Sequence, residues 1–288
     1  TPDSALTPPA LGRLPQRTGR NRGRYHGPGI DIGAELAALV GVARRRGWQW
    51  EWREAAPGLP LLFLRRPAAG GTTARRLYLS AGIHGDEPAG PLALRRLVEG
   101  DLLPADAAVW LCPCLNPEGC ARNTRENGAG LDLNRDYRHP RSAEVRTHIG
   151  WLHEQPGFDL TLLLHEDWEA GGFYLYALDP AGDGASLAEP MLAGVQEICP
   201  LETAPEVDGR PLDGPGIIRP SVDPATRPDW PEALWLLQHK TSRSYTLEAP
   251  SDFDLEVRVE ALLTAVGRAV GAGDRGQVGG GRARRAAS

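Results

Sequence analysis

Three sequence features are scarce in this chain, and each absence excludes a class of protein. No stretch approaches the roughly 20 apolar residues that a membrane-spanning helix needs, which excludes an integral membrane protein. Positive charge is not in excess, since 32 basic residues face 37 acidic ones for a net charge of -5, and this argues against a dedicated nucleic-acid binder. Cysteine is also scarce. We interpret the four cysteines as buried thiols rather than a structural zinc site, because no second closely spaced pair is present: Cys112, Cys114, Cys120 and Cys199.

The two ends of the chain differ in charge from its centre. Residues 1–27 carry five arginines against one aspartate and are predicted to form an irregular basic lead-in. Residues 272–288 lack apolar periodicity and are predicted to form a disordered basic tail. The acidic body between them, residues 28–271, is predicted to be a single catalytic domain. No apolar signal-peptide core precedes it, which favours a cytoplasmic location and leaves secretion or a periplasmic location open.

The spacing of apolar residues predicts the fold class. Strands are predicted at residues 59–64, 76–82, 107–113, 159–165, 173–178 and 243–248. Helices are predicted at residues 30–47, 87–99, 142–154, 185–198 and 254–270. Residues 114–140 are predicted to be rich in turns, and residues 200–231 to be a proline-rich loop. Strands that alternate with helices indicate an α/β fold with a mixed, largely parallel β-sheet flanked by helices on both faces.

Two histidines and one glutamate form a candidate metal site. His84 and Glu87 follow a predicted strand, and Gly85 between them permits a tight bend. Imidazole nitrogen and carboxylate oxygen are good zinc ligands, although a polar loop at the start of a helix is the alternative. His165 ends another apolar strand, where a histidine needs a partner. It is either a satisfied core histidine or the third ligand of a catalytic zinc site.

Glu248 is the candidate general base. It lies two residues before Pro250, at the end of the predicted strand RSYTLE. A hydrolase needs a partly desolvated carboxylate beside a metal-activated water, because that carboxylate guides the proton. A surface glutamate on an edge strand is the alternative.

The segment NPEGCARNTRENGAGLDLNRDY, residues 116–137, concentrates arginine among glycine and asparagine. Guanidinium groups repel one another and bind carboxylates in a bidentate manner, so a substrate with a free carboxylate suits this segment. A phosphate ester, or structural salt bridges to the aspartates of the segment, would suit it as well. The polar and charged residues concerned are Arg122, Arg125, Asn134, Arg135, Asp132 and Asp136.

Four motifs in order resemble the zinc carboxypeptidase family typified by pancreatic carboxypeptidase A. They are HGDE at 84–87, NPEG through Gly-x-Asp-Leu-Asn-Arg at 116–135, the strand-end His165, and Thr-Leu-Glu at 246–248. Their order and spacing agree over residues 76–252, and the chain resembles the small bacterial members without a pro-segment. The resemblance implies a metallopeptidase with one zinc ion per chain, held by His84, Glu87 and His165. It also implies that Asp132, which is not a zinc ligand itself, orients the ring of His84.

The resemblance assigns further roles residue by residue. Glu248 resembles the general base that activates water and then protonates the leaving amine. Arg125 resembles the arginine that stabilises the developing oxyanion. Asn134 and Arg135 resemble the pair that binds the terminal carboxylate of the substrate, and Arg122 has no counterpart.

Two features depart from the family pattern. The tyrosine that the family carries about twenty residues before the base has no match in the segment 211–231, which leaves substrate capping open. The residues after His165 are unusually acidic, and Glu166, Asp167 and Glu169 are interpreted as solvated rather than as a site for a cationic substrate. Glu232 is a candidate for the floor of the specificity pocket.

Three functions remain open at this point. The first is a metallocarboxypeptidase that acts on peptides or other small amides with a free carboxylate. Neither nucleic acid nor a membrane is expected as its partner. The second is an N-acyl amino acid hydrolase of the succinylglutamate desuccinylase/aspartoacylase type, which shares the HGxE and Asp-Leu-Asn-Arg elements. The third is a zinc-free binding module. The longer NPEG segment and TLEAPS favour the first, whereas the terminal residue of the substrate and the oligomeric state stay undetermined.

Overall fold

The computed structural model describes residues 14–69, 75–179 and 186–271. The predicted tail at 272–288 and residues 1–13 of the predicted lead-in lie outside these ranges. The strands are β1 (Gln49–Ala56), β2 (Leu59–Arg66), β3 (Arg76–Ala81), β4 (Ala108–Cys112), β5 (Leu160–Asp167), β6 (Tyr174–Leu178), β7 (Glu206–Val207), β8 (Arg210–Pro211), β9 (Ile217–Ile218) and β10 (Ser244–Pro250). The helices are α1 (Ile32–Arg45), α2 (Ala89–Glu99), α3 (Pro117–Arg122), α4 (Ala143–Glu154), α5 (Ala188–Val195), α6 (Glu232–His239) and α7 (Leu255–Val270). Short 3-10 turns occupy Leu133–Arg135 and Pro224–Thr226.

Eight of these strands form one sheet in the order β1-β2-β4-β3-β5-β10-β6-β9. The central strands β4, β3, β5 and β10 run parallel to one another. On one side of this centre, β4 pairs with β2 and β2 with β1, both in antiparallel orientation. On the other side, β10 pairs with β6 in antiparallel orientation. The sheet is therefore mixed with a parallel centre, which confirms the predicted fold class. Strands β7 and β8 form a separate small hairpin.

Helices pack on both faces of the sheet because successive side chains of a strand point to opposite faces. In β2, Leu62 and Leu64 join a core with helices α1, α2, α5 and α7. Their neighbours Leu61 and Phe63 join a second core with helices α4 and α6. All four cysteines are buried and free, as predicted. None of the seven helices in the described ranges combines the length and the hydropathy that a transmembrane span requires.

Two parts of the secondary-structure prediction were incomplete. Strand β1 was missed because its sequence, QWEWREAA, lies at the edge of the sheet and stays largely exposed, so it lacks an apolar face. The segment 200–231 is not wholly irregular, since it contains β7, β8 and β9, and helix α6 follows it. Strands of two residues are too short to show a periodicity of two, and proline and glycine in this segment predict turns.

The described part of the lead-in has no helix or strand and is fastened to the loop after β10 by one carboxylate, Asp252. This carboxylate accepts hydrogen bonds from Arg17 Nε (3.0 Å), the Thr18 hydroxyl (2.7 Å) and the backbone N–H groups of Gly19 (3.1 Å), Arg20 (2.9 Å) and Asn21 (3.3 Å). Burial alone would raise its pKa, but the hydrogen bonds lower the pKa from 3.8 to about 2. The lead-in is therefore held by an ionised carboxylate.

This anchor predicts a dependence of stability on pH. Because the pKa of Asp252 is lowered on folding, its contribution is complete above its unfolded pKa of 3.8 and is lost as the pH falls toward about 2. We expect Asp252→Asn to lower the free energy of unfolding by roughly 2 kcal/mol at about pH 6, and to flatten its decline at acidic pH. Urea unfolding at several pH values measures both effects. Trypsin should also cleave the variant faster within residues 17–24.

The matched control for this experiment is Asp254→Asn. Asp254 lies two residues after Asp252 in the chain. It is exposed, and its side chain makes no capping hydrogen bond. Equal loss of stability in the two variants would contradict the anchor.

Candidate metal centre and active site

The candidate site lies at the carboxyl ends of three neighbouring strands, β3, β5 and β10. His84 follows β3, His165 lies near the end of β5, and Glu248 lies in β10. His165 and Glu248 are paired in register across the parallel strands β5 and β10. Ligands bind beyond the carboxyl ends of strands in open α/β sheets, so the sheet brings these residues to the edge where a site is expected.

His84, Glu87 and His165 form a buried cluster. Glu87 Oε1 lies 2.6 Å from His84 Nδ1, and Glu87 Oε2 lies 3.0 Å from His165 Nδ1. One potential ligand atom of each residue lies within 4.8 Å of the others. None of the three side chains is more than 5% exposed. The structure thus brings together all three residues that were predicted as zinc ligands.

The turn that carries His84 and Glu87 is held by the NPEG segment. A Cβ atom on Gly85 would lie 1.9 Å from the carbonyl carbon of Gly119, so only glycine fits where the turn meets α3. Asn116 joins the two segments, because its Nδ2 donates to the carbonyl oxygens of Ile83 (3.3 Å) and Arg125 (3.2 Å). These contacts explain why HGDE and NPEG occur together.

The electrostatics of the cluster suit a cation. Burial would raise the pKa of Glu87, but the neighbouring rings of His84 and His165 lower it, so the carboxylate is ionised. Burial likewise opposes a charge on His84, yet the Glu87 carboxylate and Asp132 raise the pKa of that ring. Glu87 Oε2 is buried, and the contact of His165 Nδ1 with it at 3.0 Å does not have the geometry of a hydrogen bond. A carboxylate beside two imidazole nitrogens is a donor set that zinc prefers, so these residues fit a zinc ion.

Asp132 links the cluster to Arg125. Its Oδ1 lies 3.2 Å from His84 Nε2, on the side of the ring away from Glu87. Its Oδ2 accepts hydrogen bonds from Arg125 Nε (3.1 Å) and Nη2 (3.0 Å). Arg125 Nη1 is left near the cluster, 3.4 Å from His84 Nδ1 and 4.0 Å from Glu87 Oε1. Asp132 therefore contacts His84, as predicted. It also forms a salt bridge with Arg125, which was the structural alternative for the arginines of this segment.

Glu248 is a buried carboxylate in the same cleft, and its side chain forms no ion pair with a described residue. Burial raises its pKa well above the usual value; His165 lowers the pKa, while the Glu87 and Asp167 carboxylates raise it further. A carboxylate in such surroundings has a higher proton affinity than one in water. The alternative of a surface glutamate is wrong.

Asn134 and Arg135 lie in the 3-10 turn after Asp132. Asn134 Oδ1 accepts a hydrogen bond from the backbone N–H of Glu232 (2.9 Å), the first residue of α6. Its Nδ2 donates to no described residue. Arg135 is exposed and donates from Nη1 to the carbonyl oxygen of Asn134 (3.0 Å). Both residues therefore keep N–H donors available to a ligand in the cleft.

Glu232 does not line the cleft, contrary to the prediction that it forms the floor of a specificity pocket. It is the first residue of α6, and its buried carboxylate accepts hydrogen bonds from the hydroxyls of Tyr78 (2.9 Å) and Ser80 (3.0 Å). Burial raises its pKa to about 7 and lowers the pKa of His148 to about 3. The His148 ring lies between the hydroxyls of Tyr78 (2.8 Å) and Tyr137 (2.7 Å). No local pattern in the sequence indicates this network, because its members come from β3, α4, α6 and the loop that contains Tyr137.

The acidic residues after His165 have different surroundings. Glu166 is buried, is paired with Arg258 of α7 and accepts a hydrogen bond from the backbone N–H of Ala89 (2.6 Å), so its interpretation as solvated is wrong. Asp167 accepts a hydrogen bond from the Tyr174 hydroxyl (2.9 Å). Glu169 is exposed, as expected. Arg122 pairs with Glu118 at 3.8 Å and stays outside the cleft, in agreement with its omission from the site.

A cleft of about 750 Å³ lies beside the cluster, and His165 is not among the residues that line it. His84, Glu87, Arg125, Asn134, Arg135 and Glu248 all line it. Its remaining wall includes Tyr174 and Tyr176 of β6, two aromatic residues that sequence analysis did not assign to the site. Tyr25 of the lead-in lines it as well, and its hydroxyl accepts a hydrogen bond from Arg258 Nη2 (3.2 Å). The lead-in is therefore part of the cleft wall.

The fold is that of carboxypeptidase-like metallopeptidases. A protein of Shewanella amazonensis SB2B classed as a metallopeptidase superimposes with a TM-score of 0.72 at 24% identity, over 83% of this chain and 92% of the other. A metallo-carboxypeptidase from Burkholderia cenocepacia superimposes with a TM-score of 0.61 at 16% identity, over 83% of this chain and 67% of the other. The resemblance to zinc carboxypeptidases is thus confirmed for the fold.

Two sequence comparisons add to the structural ones. The family model "Succinylglutamate desuccinylase/Aspartoacylase catalytic domain" matches residues 73–198. Murein peptide amidase A of Escherichia coli (strain K12) is 32% identical over 106 residues, which is 37% of this chain. The match spans 42% of the length of that relative. Together with the fold, these similarities support an enzyme of the hydrolase kind.

The cluster predicts metal binding that depends on its three members. We expect the purified protein to bind one zinc ion per chain, and His165→Ala or Glu87→Gln to lower its affinity for zinc by about 100-fold or more, because each variant leaves only two protein ligands. Elemental analysis and competition with a chromogenic chelator measure content and affinity. Removal of the metal should also lower the thermal midpoint.

His153→Gln is the matched control, because His153 is exposed on α4 and stacks edge-on against Trp235 instead of approaching the cluster. A protein that binds no zinc after reconstitution would contradict the metal site and favour the zinc-free binding module.

Proposed function

We propose that this protein is a zinc-dependent metallocarboxypeptidase that hydrolyses the C-terminal amide bond of a peptide with a free terminal carboxylate. One observation carries the proposal: His84 and Glu87 of the buried His-Glu-His cluster line one cleft together with the buried Glu248 carboxylate and the donors of Asn134 and Arg135. Residues 28–271 would form a single catalytic domain. The structural likeness to metallo-carboxypeptidases supports the proposal through the fold.

In this proposal His84, Glu87 and His165 hold one zinc ion. Zinc with three protein ligands acts as a Lewis acid and lowers the pKa of water to about 7. Asp132 keeps His84 oriented, since it contacts the ring nitrogen opposite the cluster. Burial of these residues excludes competing solvent and strengthens their electrostatic interactions.

Glu248 is the general base in the proposed reaction. It takes a proton from the attacking water and then delivers it to the amide nitrogen as the C–N bond breaks. The pKa of this buried carboxylate is raised, which strengthens it as a base and suits a group that both accepts and donates a proton. Arg125 stabilises the charge that develops on the carbonyl oxygen. Its Nη1 is suited to this role because Nε and Nη2 are held by Asp132.

Asn134 and Arg135 bind the terminal carboxylate of the substrate. The hydrogen bond from the Glu232 N–H occupies Asn134 Oδ1, so the side-chain amide presents its N–H donors to the cleft. Arg135 adds a guanidinium whose Nε and Nη2 donate to no described residue. An amide donor beside a guanidinium recognises a carboxylate by both charge and hydrogen bonds.

A second candidate function is the hydrolysis of N-acyl amino acids. It is favoured by the match of residues 73–198 to the desuccinylase/aspartoacylase model. Such substrates also contain an amide next to a free carboxylate, so the same residues would act on them. A peptide substrate is supported by the relative named murein peptide amidase A, and we include cell-wall peptides among the peptides to be tested.

Replacement of the general base gives the first test. We expect Glu248→Gln to lower kcat by roughly a thousandfold while zinc content stays unchanged, because glutamine cannot accept the proton. The control is Glu169→Gln, an exposed carboxylate of the same cleft that has no catalytic role here. Hydrolysis and metal content are measured on the same preparations. Full activity of Glu248→Gln would overturn the assignment of the base.

A substrate panel gives the second test. Blocked dipeptides, cell-wall peptides and N-acyl amino acids are assayed, each as the free acid and as the carboxamide. We expect the free acids of peptides to be cleaved and their carboxamides to be resistant. Arg135→Gln should raise KM for the free acids about 10- to 100-fold, whereas Arg122→Gln, outside the cleft, should not. Equal cleavage of acids and carboxamides would contradict carboxylate recognition, and cleavage of N-acyl amino acids alone would favour the second candidate.

A further inference from the structure

Strand β1 forms one edge of the eight-stranded sheet and is long for an edge strand. It has eight residues and, among the described residues, it pairs with β2 alone. The strand at the opposite edge, β9, has only two residues. The outer side of an edge strand presents backbone N–H and C=O groups to any further strand, and proteins often prevent such pairing with a short strand or a proline. The sequence of β1, QWEWREAA, has no proline, so it keeps this capacity to pair.

Two tryptophans lie on the same face of β1. Trp50 is 38% exposed and Trp52 is 45% exposed, and they are two of the four large hydrophobic residues that the described part of the chain exposes. They are paired in register with Leu64 and Leu62 of β2, which are buried in the core that includes α1 and α2. The tryptophans therefore continue the apolar surface of this face to the edge of the sheet. Tryptophan is enriched in protein–protein interfaces, where its large surface is buried.

The opposite face of β1 carries charges of both signs. Arg53 donates from Nη1 and Nη2 to the Glu154 carboxylate of α4 (2.7 and 2.5 Å) and from Nε to Glu51 Oε2 (3.1 Å). The Glu51 carboxylate also accepts a hydrogen bond from Trp151 Nε1 (2.9 Å). The side chain of Glu51 is still 48% exposed and that of Arg53 25%. Both groups are therefore held on this face and remain accessible to a further charged partner.

The order of these charges selects one register for pairing between two copies of β1. A two-fold axis makes the copies antiparallel, so the residue at the axis faces itself and its two neighbours face each other crosswise. An axis at Glu51 or at Arg53 would place like charges opposite each other, which is destabilising. An axis at Trp52 places Glu51 of each copy opposite Arg53 of the other. On the other face it places Trp52 opposite Trp52, with Trp50 diagonal to this pair.

We propose that β1 is a homodimer interface, through which two copies of this chain join their sheets about a two-fold axis at Trp52. A second copy supplies the complementary charges in the required order without any other partner. The geometry of the strand suits this register, because residues 50–54 would pair and the irregularity against β2 lies beyond them, between Glu54 and Ala56.

The proposed interface is separate from the candidate metal centre. Strands β2 and β4 lie between β1 and β3, the strand that precedes His84. Three strand spacings therefore separate β1 from β3, which is about 14 Å. The inference does not rest on the proposed function, and its tests need no amide hydrolysis.

Sedimentation velocity over a range of protein concentrations tests the interface. We expect the wild type to form a dimer, and Arg53→Glu to raise its dissociation constant about 10- to 100-fold, because two pairs of opposite charge become pairs of like charge. Glu51→Arg should have the same effect for the same reason. An equimolar mixture of the two variants should dimerise again, since each Glu51 then faces an arginine and both pairs are complementary. This recovery also shows that the variants are folded.

The matched control for the charge variants is Arg96→Glu. Arg96 forms a surface ion pair of the same bidentate kind with Glu256 (2.5 and 2.6 Å), on helices α2 and α7 instead of the edge of the sheet. We expect this variant to leave the dissociation constant of the dimer unchanged.

Cross-linking tests the register. Trp52→Cys places two cysteines opposite each other at the axis, with about 5 Å between their Cα atoms, a separation that suits a disulfide bond. Trp50→Cys is the control, because the two new cysteines would be four residues apart along the strands, about 13 Å. The four native cysteines are buried and should not compete. Under mild oxidation we expect a covalent dimer from Trp52→Cys alone.

Four results would overturn the interface. The first is a wild type that stays monomeric up to about 0.1 mM, including a monomer that instead binds an extended peptide along β1. The second is an equal effect of Arg53→Glu and Arg96→Glu on the dimer. The third is a mixture of the two charge variants that does not dimerise, and the fourth is cross-linking of Trp50→Cys as readily as of Trp52→Cys.

Discussion

The site depends on a single buried carboxylate, Glu87, which lies between two imidazole rings. A buried charge is costly unless partners compensate it, and here His84 and His165 are the partners that keep Glu87 ionised. One ring comes from the turn after β3 and the other from β5, so the carboxylate joins two neighbouring strand ends. No contact of Glu87 Oε2 with a described residue has hydrogen-bond geometry, so a divalent cation bound by the two rings and this carboxylate would complete the coordination of that oxygen.

Beside this centre, Arg125 and Asn134 each have a structural contact and a group left over for a ligand. Asp132 holds two nitrogens of Arg125 and leaves the third near the cluster. Asn134 caps the first turn of α6 with its oxygen and keeps its nitrogen for the cleft. The structural contacts restrict the rotamers of these side chains before a substrate arrives. Such preorganisation lowers the cost of ordering them in the transition state.

The same arrangement explains why the chain resembles both peptidases and acyl amino acid hydrolases. In both proposed functions the cluster and Glu248 would act on an amide bond, which is common to the two substrate classes. Selection between such substrates would then come from the rest of the cleft, which is lined by the lead-in, the β7–β8 hairpin and the segment before α6. Changes in these segments would alter substrate preference without altering the strand ends that carry His84, His165 and Glu248.

The sequence by itself determined which residues form the buried cluster and the order of most of the main elements. HGDE, the arginine-rich segment, His165 and Glu248 were all identified from it, because short motifs and strand ends are local features. The buried pair Glu166–Arg258 and the hydrogen bonds of Glu232 were not foreseen, since each joins residues far apart in the chain. Helix α6 and edge strand β1 were also missed, the strand because it lacks an apolar face. Only the tertiary structure decided that Arg125 is paired with Asp132 whereas Arg135 forms no ion pair with a described residue. Pairing depends on distances between segments, and a sequence does not contain those distances.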